Sequence, residues 1–310
     1  MSTIWITGAR GFIGRHLAAY LSREGQVVLG LGHGAWPEDQ FRKWGVSFWL
    51  NGDIEAYNLQ QLFSQSGCPE WIYHLAGGSA VGSSFISPLE DFNRTVDSTA
   101  HLLDWIRRDG LTTKVICISS AAVYGVGHDG PIAENTSLSP YSPYGFHKAI
   151  METLCRSYAA NFSIPVGLVR FFSIYGAGLE KQLLWDICRQ LSADPHMMTL
   201  SGTGREIRDW IHISDAVRLL WQMKDLCHRD APVINGGTGI GTSVSDIVSH
   251  VCKAWGSSAV ANFNGKQRPG DPESLVADIR SAHQLGFHPG KSLDEGVADV
   301  VRWYKEYITR

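Results

Sequence analysis

The stretch Thr7-Gly8-Ala9-Arg10-Gly11-Phe12-Ile13-Gly14 follows a short apolar run and precedes a helical pattern. Glycines at this spacing between a strand and a helix let the backbone turn tightly and approach a ligand. Unpaired backbone N–H groups and the helix dipole favour a pyrophosphate at the helix N-terminus. The stretch therefore predicts a dinucleotide-binding site beside the first strand of a parallel sheet.

Further β-rich runs, bounded by glycine or polar turns, recur along the chain and alternate with helical patterns. The predicted strands are residues 3–7, 27–31, 47–50, 71–75, 114–119, 165–172 and 232–235. The clearest helix is 91–109, where apolar residues recur at steps of three and four and Gly110 supplies the stop. This alternation predicts an α/β fold, a doubly wound parallel sheet of the Rossmann type.

The rhythm becomes less regular after about residue 175, which predicts a smaller, discontinuous C-terminal substrate lobe. We expect a dinucleotide-binding domain at 1–175, completed by roughly 210–236, and a substrate-binding lobe at 176–209 and 237–310.

The composition excludes several classes of protein. With 310 residues, 44% of them hydrophobic and 18% charged, the chain can bury a large core, and its net charge of −3 is unlike that of a nucleic-acid binder. Its six cysteines are scattered, without CxxC pairs or zinc spacing, so we expect no metal and a reducing cytoplasm. Because Met1 leads directly into the first predicted strand, we expect no signal peptide, and no apolar run is long enough for a membrane span.

The end of the second strand bears on the choice of cofactor. Dinucleotide folds usually place an Asp or Glu there to accept from the ribose 2′-hydroxyl, but here Gly32 and His33 occupy the position. Arg10, inside the glycine loop, offers a cation for a 2′-phosphate. These features favour NADP(H), with NAD(H) possible. Asp53, after the third strand, either bonds the adenine amino group or caps a turn.

Two segments carry acid–base chemistry. Ser120 closes the fifth strand, and Tyr144 and Lys148 lie four residues apart at the start of a helix, so they share one face. We expect the lysine ammonium to lower the pKa of the Tyr144 phenol from about 10 towards neutrality. The Ser120 hydroxyl can bond the same substrate oxygen. His147 is expected to be a solvated helix residue.

Together these motifs resemble the extended short-chain dehydrogenase/reductase family, the nucleotide-sugar epimerases, dehydratases and ketoreductases. The matches are TGxxGxxG at 7–14, HLA at 74–76, Asn93 in the following helix, SSxxVYG at 119–125, YxxxK at 144–148, RFFxxYG at 170–176, RDWxHxxD at 208–215 and RPGD at 268–271. The resemblance covers nearly the whole chain. It implies that Ser120, Tyr144 and Lys148 form the catalytic set, and that the chain forms a homodimer through helices such as 91–109.

The resemblance also implies the binding residues. Those expected at the cofactor are Gly8, Arg10, Gly11, Phe12, Ile13, Gly14, His33, Asp53, Ile54, Leu75, Ala76, Gly77, Asn93, Tyr144 and Lys148. Those expected at a nucleotide-diphosphate sugar are Ser79, Ser120, Arg208 and Arg268, the two arginines gripping the diphosphate.

Two departures from the family narrow the reaction. The 4,6-dehydratases carry an Asp-Glu pair directly after the catalytic hydroxyl residue, and here Ala121 and Ala122 stand there. Ala122 also replaces the cysteine of the epimerase-reductases that invert C3 and C5. Hydride transfer remains, and NADPH-dependent reduction of a nucleotide-linked 4-keto sugar is favoured, with Tyr144 as the general acid. The alternatives are a 4-epimerase with tightly bound NAD(P) and a catalytically silent NADP(H) sensor.

Overall fold

A computed structural model describes residues 1–266 and 271–309. The chain divides into two compact units, the first made of 1–125, 137–170 and 217–234, the second of 126–136, 171–216 and 235–310. These boundaries differ from those expected from the sequence in three places. Residues 126–136 belong to the second unit because they supply a strand to its sheet. The first unit gives way to the second at 170 rather than 175, and the chain returns to the first unit at 217 rather than at about 210.

Strands occur throughout both units. In chain order they are β1 (Thr3–Thr7), β2 (Val27–Gly32), β3 (Val46–Asn51), β4 (Trp71–His74), β5 (Lys114–Ser120), β6 (Pro131–Ile132), β7 (Val166–Phe171), β8 (Ser173–Tyr175), β9 (Met197–Leu200), β10 (Ile207–His212), β11 (Val233–Gly236), β12 (Gly241–Ser243), β13 (Val260–Phe263) and β14 (Ser274–Ala277).

Helices separate most of these strands. They are α1 (Phe12–Arg23), α2 (Glu38–Lys43), α3 (Ala56–Ser66), α4 (Val81–Ile86), α5 (Pro88–Phe92), α6 (Ser98–Arg108), α7 (Pro143–Phe162), α8 (Gln182–Ala193), α9 (Ile213–Met223), α10 (Val244–Trp255), α11 (Arg280–Gln284) and α12 (Leu293–Ile308). A π-helical turn, Asn93–Asp97, joins α5 to α6, and a 3₁₀ turn, Ala121–Val123, follows β5.

The first unit is organised by a seven-stranded sheet in the order β11-β7-β5-β4-β1-β2-β3. The pairs β1–β2, β1–β4, β2–β3 and β4–β5 are all parallel. The chain moves outward from β1 to β3 and then crosses to β4 on the other side, so the carboxyl ends of β1 and β4 flank a topological switch point. The α/β fold with a Rossmann-type sheet is confirmed, and each predicted strand of this sheet lies within about one residue of its observed bounds.

Burial on both faces explains why the strands of this sheet are almost continuously apolar. Trp5 in β1 is 1% exposed, stacks on Trp105 of α6 at 5.7 Å and donates its indole N–H to the Ser66 hydroxyl. Ile72 and Val115, in neighbouring strands, are fully buried in the same cluster. Each such side chain contributes about 1.5–3 kcal/mol to folding. The core therefore holds the strand ends, and the loops that follow them, in fixed positions.

The second unit has its own sheet and core. Its larger sheet has the order β12-β10-β14-β6, with β8 also paired to β10, and β9 pairs with β13 separately. Helices α8, α10 and α12 pack around a second apolar cluster that includes Ile187, Val251 and Val297. No described helix is both long and apolar enough to cross a membrane.

Candidate active site

The glycine loop has the close backbone contacts that a dinucleotide site needs. Gly8 has a φ of +72°, donates its N–H to the Leu31 carbonyl at 2.7 Å, and a Cβ there would lie 3.0 Å from the Ala76 nitrogen. A Cβ at Gly14 would overlap the Gly8 carbonyl oxygen. Gly11 is the N-cap of α1 and supplies no side-chain cap, so the first-turn N–H groups can face an anion. The loop is thus shaped to receive a pyrophosphate.

The ends of β2 and β3 form one surface. A Cβ at Gly32 would meet the Trp49 ring at 3.2 Å, so β2 needs a small residue there for packing. His33 lies 3.1 Å from Asp53 (Nε2 to Oδ1), and both side chains are exposed. The Arg10 guanidinium lies against the nearby backbone at residue 34. An exposed carboxylate from the segment after β3 therefore lies beside the end of β2.

The loop after β4 is tied to the glycine loop through a buried histidine. His74 Nδ1 lies 2.9 Å from the Thr7 hydroxyl, and Nε2 lies 2.9 Å from the Thr99 hydroxyl. Burial, reinforced by the charge of Lys148, lowers the pKa of His74 to about 3, so the imidazole is neutral. The Thr7 oxygen also accepts from the Ala76 N–H at 3.3 Å. These bonds fix the start of the loop at 75–77.

The three expected catalytic residues lie together at the carboxyl end of β5. Ser120 ends the strand, Tyr144 lies in the first turn of α7, and their side chains form a hydrogen bond. The Lys148 ammonium donates to the Ile118 carbonyl at 2.9 Å and lies 5.8 Å from the centre of the Tyr144 ring. One turn of helix thus separates a proton-transfer hydroxyl from a buried cation.

Burial controls the pKa values of this set. It raises the pKa of Tyr144, against the lowering effect of the Ser120 hydrogen bond, and the charge of Asp91 raises it further. Burial also lowers the pKa of Lys148 to about 8. The expectation that Lys148 brings the pKa of Tyr144 towards neutrality is therefore wrong for this structure. Lys148, with a pKa of about 8, keeps its charge at neutral pH.

The segment predicted as one helix over 91–109 is interrupted by the π-helical turn, and this changes which residues face the site. Asn93 is exposed, whereas Thr95 is 1% exposed and its hydroxyl accepts from the Gly78 N–H at 2.9 Å. Sequence reasoning missed Thr95 because the pattern search followed apolar residues. The polar residues Asp91, Thr95 and Thr99, four apart, were the available signal, since all three are buried.

A second pair missed from the sequence lies behind the catalytic lysine. Asp91 is 5% exposed, and its Oδ2 lies 2.6 Å from Nδ1 of His147. The His147 side chain is 13% exposed and its ring contacts Phe92 edge to face. The expectation of a solvated His147 is therefore wrong, because a buried carboxylate on α5 holds it.

The other expected cofactor residues lie near the loops described above. Phe12 and Ile13 are half-buried in the first turn of α1, Ile54 is buried after β3, and Leu75 and Gly77 are half-buried after β4.

The expected substrate residues outside the catalytic set are more dispersed. Ser79 is exposed in the loop after β4. Arg208 lies on β10 in the second unit, where its guanidinium donates to the Ile207 carbonyl at 2.8 Å. Arg268 lies outside the described residues. Within residues 1–266 and 271–309, no cluster of His, Cys, Asp or Glu is placed to hold a metal ion.

Comparison with known proteins gives consistent relatives. The model of the NAD dependent epimerase/dehydratase family matches residues 4–235. UDP-glucose 4-epimerase 1 of Oryza sativa subsp. japonica is 30% identical over 347 residues, covering 98% of this chain and 94% of that protein. MoeE5, solved in complex with UDP-glucose and NAD, is 31% identical with a TM-score of 0.88 and covers 99% of both chains.

A second solved structure agrees. UDP-glucuronic acid 4-epimerase from Bacillus cereus, in complex with UDP-glucuronic acid and NAD, is 29% identical with a TM-score of 0.87, covering 98% of this chain and 99% of that one. Because the family match spans most of the sequence and the relatives align over nearly its whole length, this chain belongs to the NAD-dependent epimerase/dehydratase family, the extended short-chain dehydrogenases/reductases.

Proposed function

We propose that this protein is a 4-epimerase of a uridine-diphosphate sugar that keeps NAD bound throughout the reaction. The observation that carries the proposal is the group formed by Ser120, Tyr144 and Lys148, with Ala121 and Ala122 in place of an acid–base pair for elimination. Such a group can move one proton to and from a single carbinol oxygen. The relatives named above as UDP-sugar 4-epimerases support this reading over the ketoreductase that the sequence favoured.

The described residues fit the cofactor. Gly8 and Gly14 leave room where a Cβ would collide with backbone, and the uncapped N-terminus of α1 suits a pyrophosphate. When bound, NAD would supply a ring that accepts a hydride from C4 and returns it. Tyr144 and Lys148 would lie on the nicotinamide side, with Asp53 and His33 on the adenosine side.

Proton transfer is assigned to Tyr144. In the oxidation half its phenolate takes the proton of the C4 hydroxyl, and in the reduction half its hydroxyl returns that proton to the keto oxygen. The hydrogen bond from Ser120 lowers the pKa of Tyr144 and so favours the phenolate. The Lys148 ammonium, 5.8 Å from the centre of the Tyr144 ring, would act on the same charge once the phenolate forms. Because the two halves are mirror images, no net proton or hydride is consumed.

NAD replaces NADP(H) as the proposed cofactor. The preference for NADP(H) rested on the missing acid at Gly32, but packing against Trp49 accounts for a small residue there. The Asp53 carboxylate, held beside His33, would repel a 2′-phosphate. The solved relatives hold NAD, which supports the same choice.

A homodimer is proposed from an exposed apolar surface on the first unit. Ile86 and Leu89 are 84% and 71% exposed, and Phe146 and Ile150 of α7 are also exposed, although α4 and α5 pack against α7. Large exposed side chains on adjoining helices suit a self-complementary interface. Leu89→Glu should yield monomers by light scattering, whereas Tyr57→Glu, an equally exposed position on α3, should leave the dimer intact. A monomeric parent protein would overturn the dimer.

Localisation is proposed from the cysteines alone. All six are free thiols, which suits a reducing compartment such as the cytoplasm.

The activity is tested by incubating the purified protein with UDP-glucose and, separately, UDP-glucuronic acid, without added cofactor. Proton NMR should show a mixture of the substrate and its C4 epimer in at least one of the two reactions. Tyr144→Phe should lower turnover by about 10²–10⁴-fold while leaving substrate affinity within about threefold. Oxidation of added NADPH by a UDP-4-keto sugar, without epimer formation, would instead establish the ketoreductase.

A further inference from the structure

The catalytic helix α7 is held at one side by the buried pair of Asp91 and His147. Asp91 Oδ2 lies 2.6 Å from His147 Nδ1, and Oδ1 packs against Gly78, where a Cβ would overlap it. Asp91 thus connects α5, the loop after β4 and α7 at a single point. His147 is the residue immediately before Lys148.

The same loop passes over the catalytic amine. A Cβ at Gly77 would lie 3.2 Å from Lys148 Nζ and 3.4 Å from the Thr95 hydroxyl, which also accepts from the Gly78 N–H. The loop is therefore held by α5 and the π-helical turn on one side and lies against the lysine on the other. A shift of Asp91 would move the loop and α7 relative to each other.

We propose that Asp91 and His147 are positioning residues for catalysis, which clamp the loop at Gly77 and Gly78 to the helix that carries Tyr144 and Lys148 and keep a negative charge behind both. This inference rests on the proposed function only for which reaction Tyr144 and Lys148 carry out. The geometry would serve any hydride transfer that uses this tyrosine and lysine.

Electrostatics support the clamp. The charge of Asp91 raises the pKa of both the half-buried Tyr144 and the buried Lys148. The other groups acting on this pair come from β4, β5 and α7. They are His74, Cys117, Ser120, Glu152 and Cys155. Removing the charge of Asp91 should therefore move both ionisations to lower pH.

The direct test is Asp91→Asn, which keeps the shape of the side chain and removes the charge. Tyrosine labelled with ¹³C at Cζ reports the ionisation of Tyr144, assigned by the resonance lost in Tyr144→Phe. In Asp91→Asn this resonance should titrate at lower pH than in the parent protein, and the pH–rate profile should shift in the same direction. Asp294→Asn is the matched control, since it removes another His–Asp contact of 2.6 Å, to His250 in the second unit.

The clamp itself is tested at His147. Asn keeps a donor near the position of Nδ1, whereas Ala removes it. We expect His147→Ala to lower kcat roughly tenfold with KM within about threefold, and His147→Asn to recover most of that loss. Equal kcat in both variants and the parent, or an unchanged Tyr144 titration in Asp91→Asn, would overturn the proposal. A shifted titration in a protein that forms no epimer would contradict the proposed function instead.

Discussion

His74 is buried, and each of its two ring nitrogens forms a hydrogen bond with a threonine hydroxyl. It bridges Thr7 at the glycine loop and Thr99 on α6, and it is 1% exposed. A neutral imidazole can donate at one nitrogen and accept at the other, whereas a charged one can only donate. Its role is to tie the end of β1 to α6, and this role requires the neutral form.

This requirement predicts a pH dependence of stability. The pKa of His74 is lowered from 6.5 to about 3 in the folded protein, so below about pH 6.5 the unfolded chain binds a proton that the folded chain does not. Stability should fall as pH decreases, by about 1.4 kcal/mol per pH unit from this residue. Urea titrations of the parent and His74→Gln should show a gap that narrows from neutral to mildly acidic pH. A constant gap would show that His74 does not stay neutral.

At the level of elements, the turn from β1 into α1 requires glycine at position 14, because neighbouring backbone atoms leave no room for a Cβ. Gly14→Ala would place a Cβ onto the Gly8 carbonyl oxygen. We expect the free energy of unfolding to fall by about 1–3 kcal/mol, because the loop must open to relieve the overlap. For the same reason the protein should retain less bound dinucleotide. Unfolding midpoints and mass spectrometry of the retained cofactor measure both effects. Gly25→Asn is the control, since no atom lies within 4 Å and Asn tolerates its positive φ; equal losses in the two variants would contradict the account.

A second prediction at the level of elements concerns the π-helical turn. Thr95→Val removes the hydroxyl that accepts from the Gly78 N–H but keeps the shape, whereas Asn93→Ala changes only an exposed residue. Thr95→Val should leave a half-buried donor unpaired, at a cost of about 1 kcal/mol, and should speed amide exchange around Gly78. Asn93→Ala should behave like the parent protein. The reverse order of effects would restore the assignment made from the family motif.

The strands and part of the candidate site could be predicted from the sequence. Strand bounds were predictable because buried parallel strands are apolar throughout, and Ser120, Tyr144 and Lys148 were predictable because their spacing is fixed by one strand end and one helical turn. The contacts of Asp91 and Thr95 were not, since their partners His147 and Gly78 come from other segments of the chain. The carboxylate beside His33 was also hidden, because Asp53 comes from a different segment of the chain.

For the molecule as a whole, the glycine loop, the group of Ser120, Tyr144 and Lys148, and the relatives named as UDP-sugar 4-epimerases support the proposed function. In that function a hydride leaves C4 of the sugar and returns to the same carbon without leaving the protein. A reductase built from the same residues would take its hydride from an exchangeable pool of reduced cofactor. The origin of the hydride therefore separates the two functions.

The most direct measurement follows deuterium at C4 of UDP-glucose, or of UDP-glucuronic acid where that is the sugar converted. The proposed mechanism predicts that the C4 epimer formed in ordinary water, with unlabelled NADH and NADPH present, keeps the deuterium at C4, as read by NMR and mass spectrometry. An epimer that carries hydrogen at C4, or a reduced product formed only with added NADPH, would contradict the account.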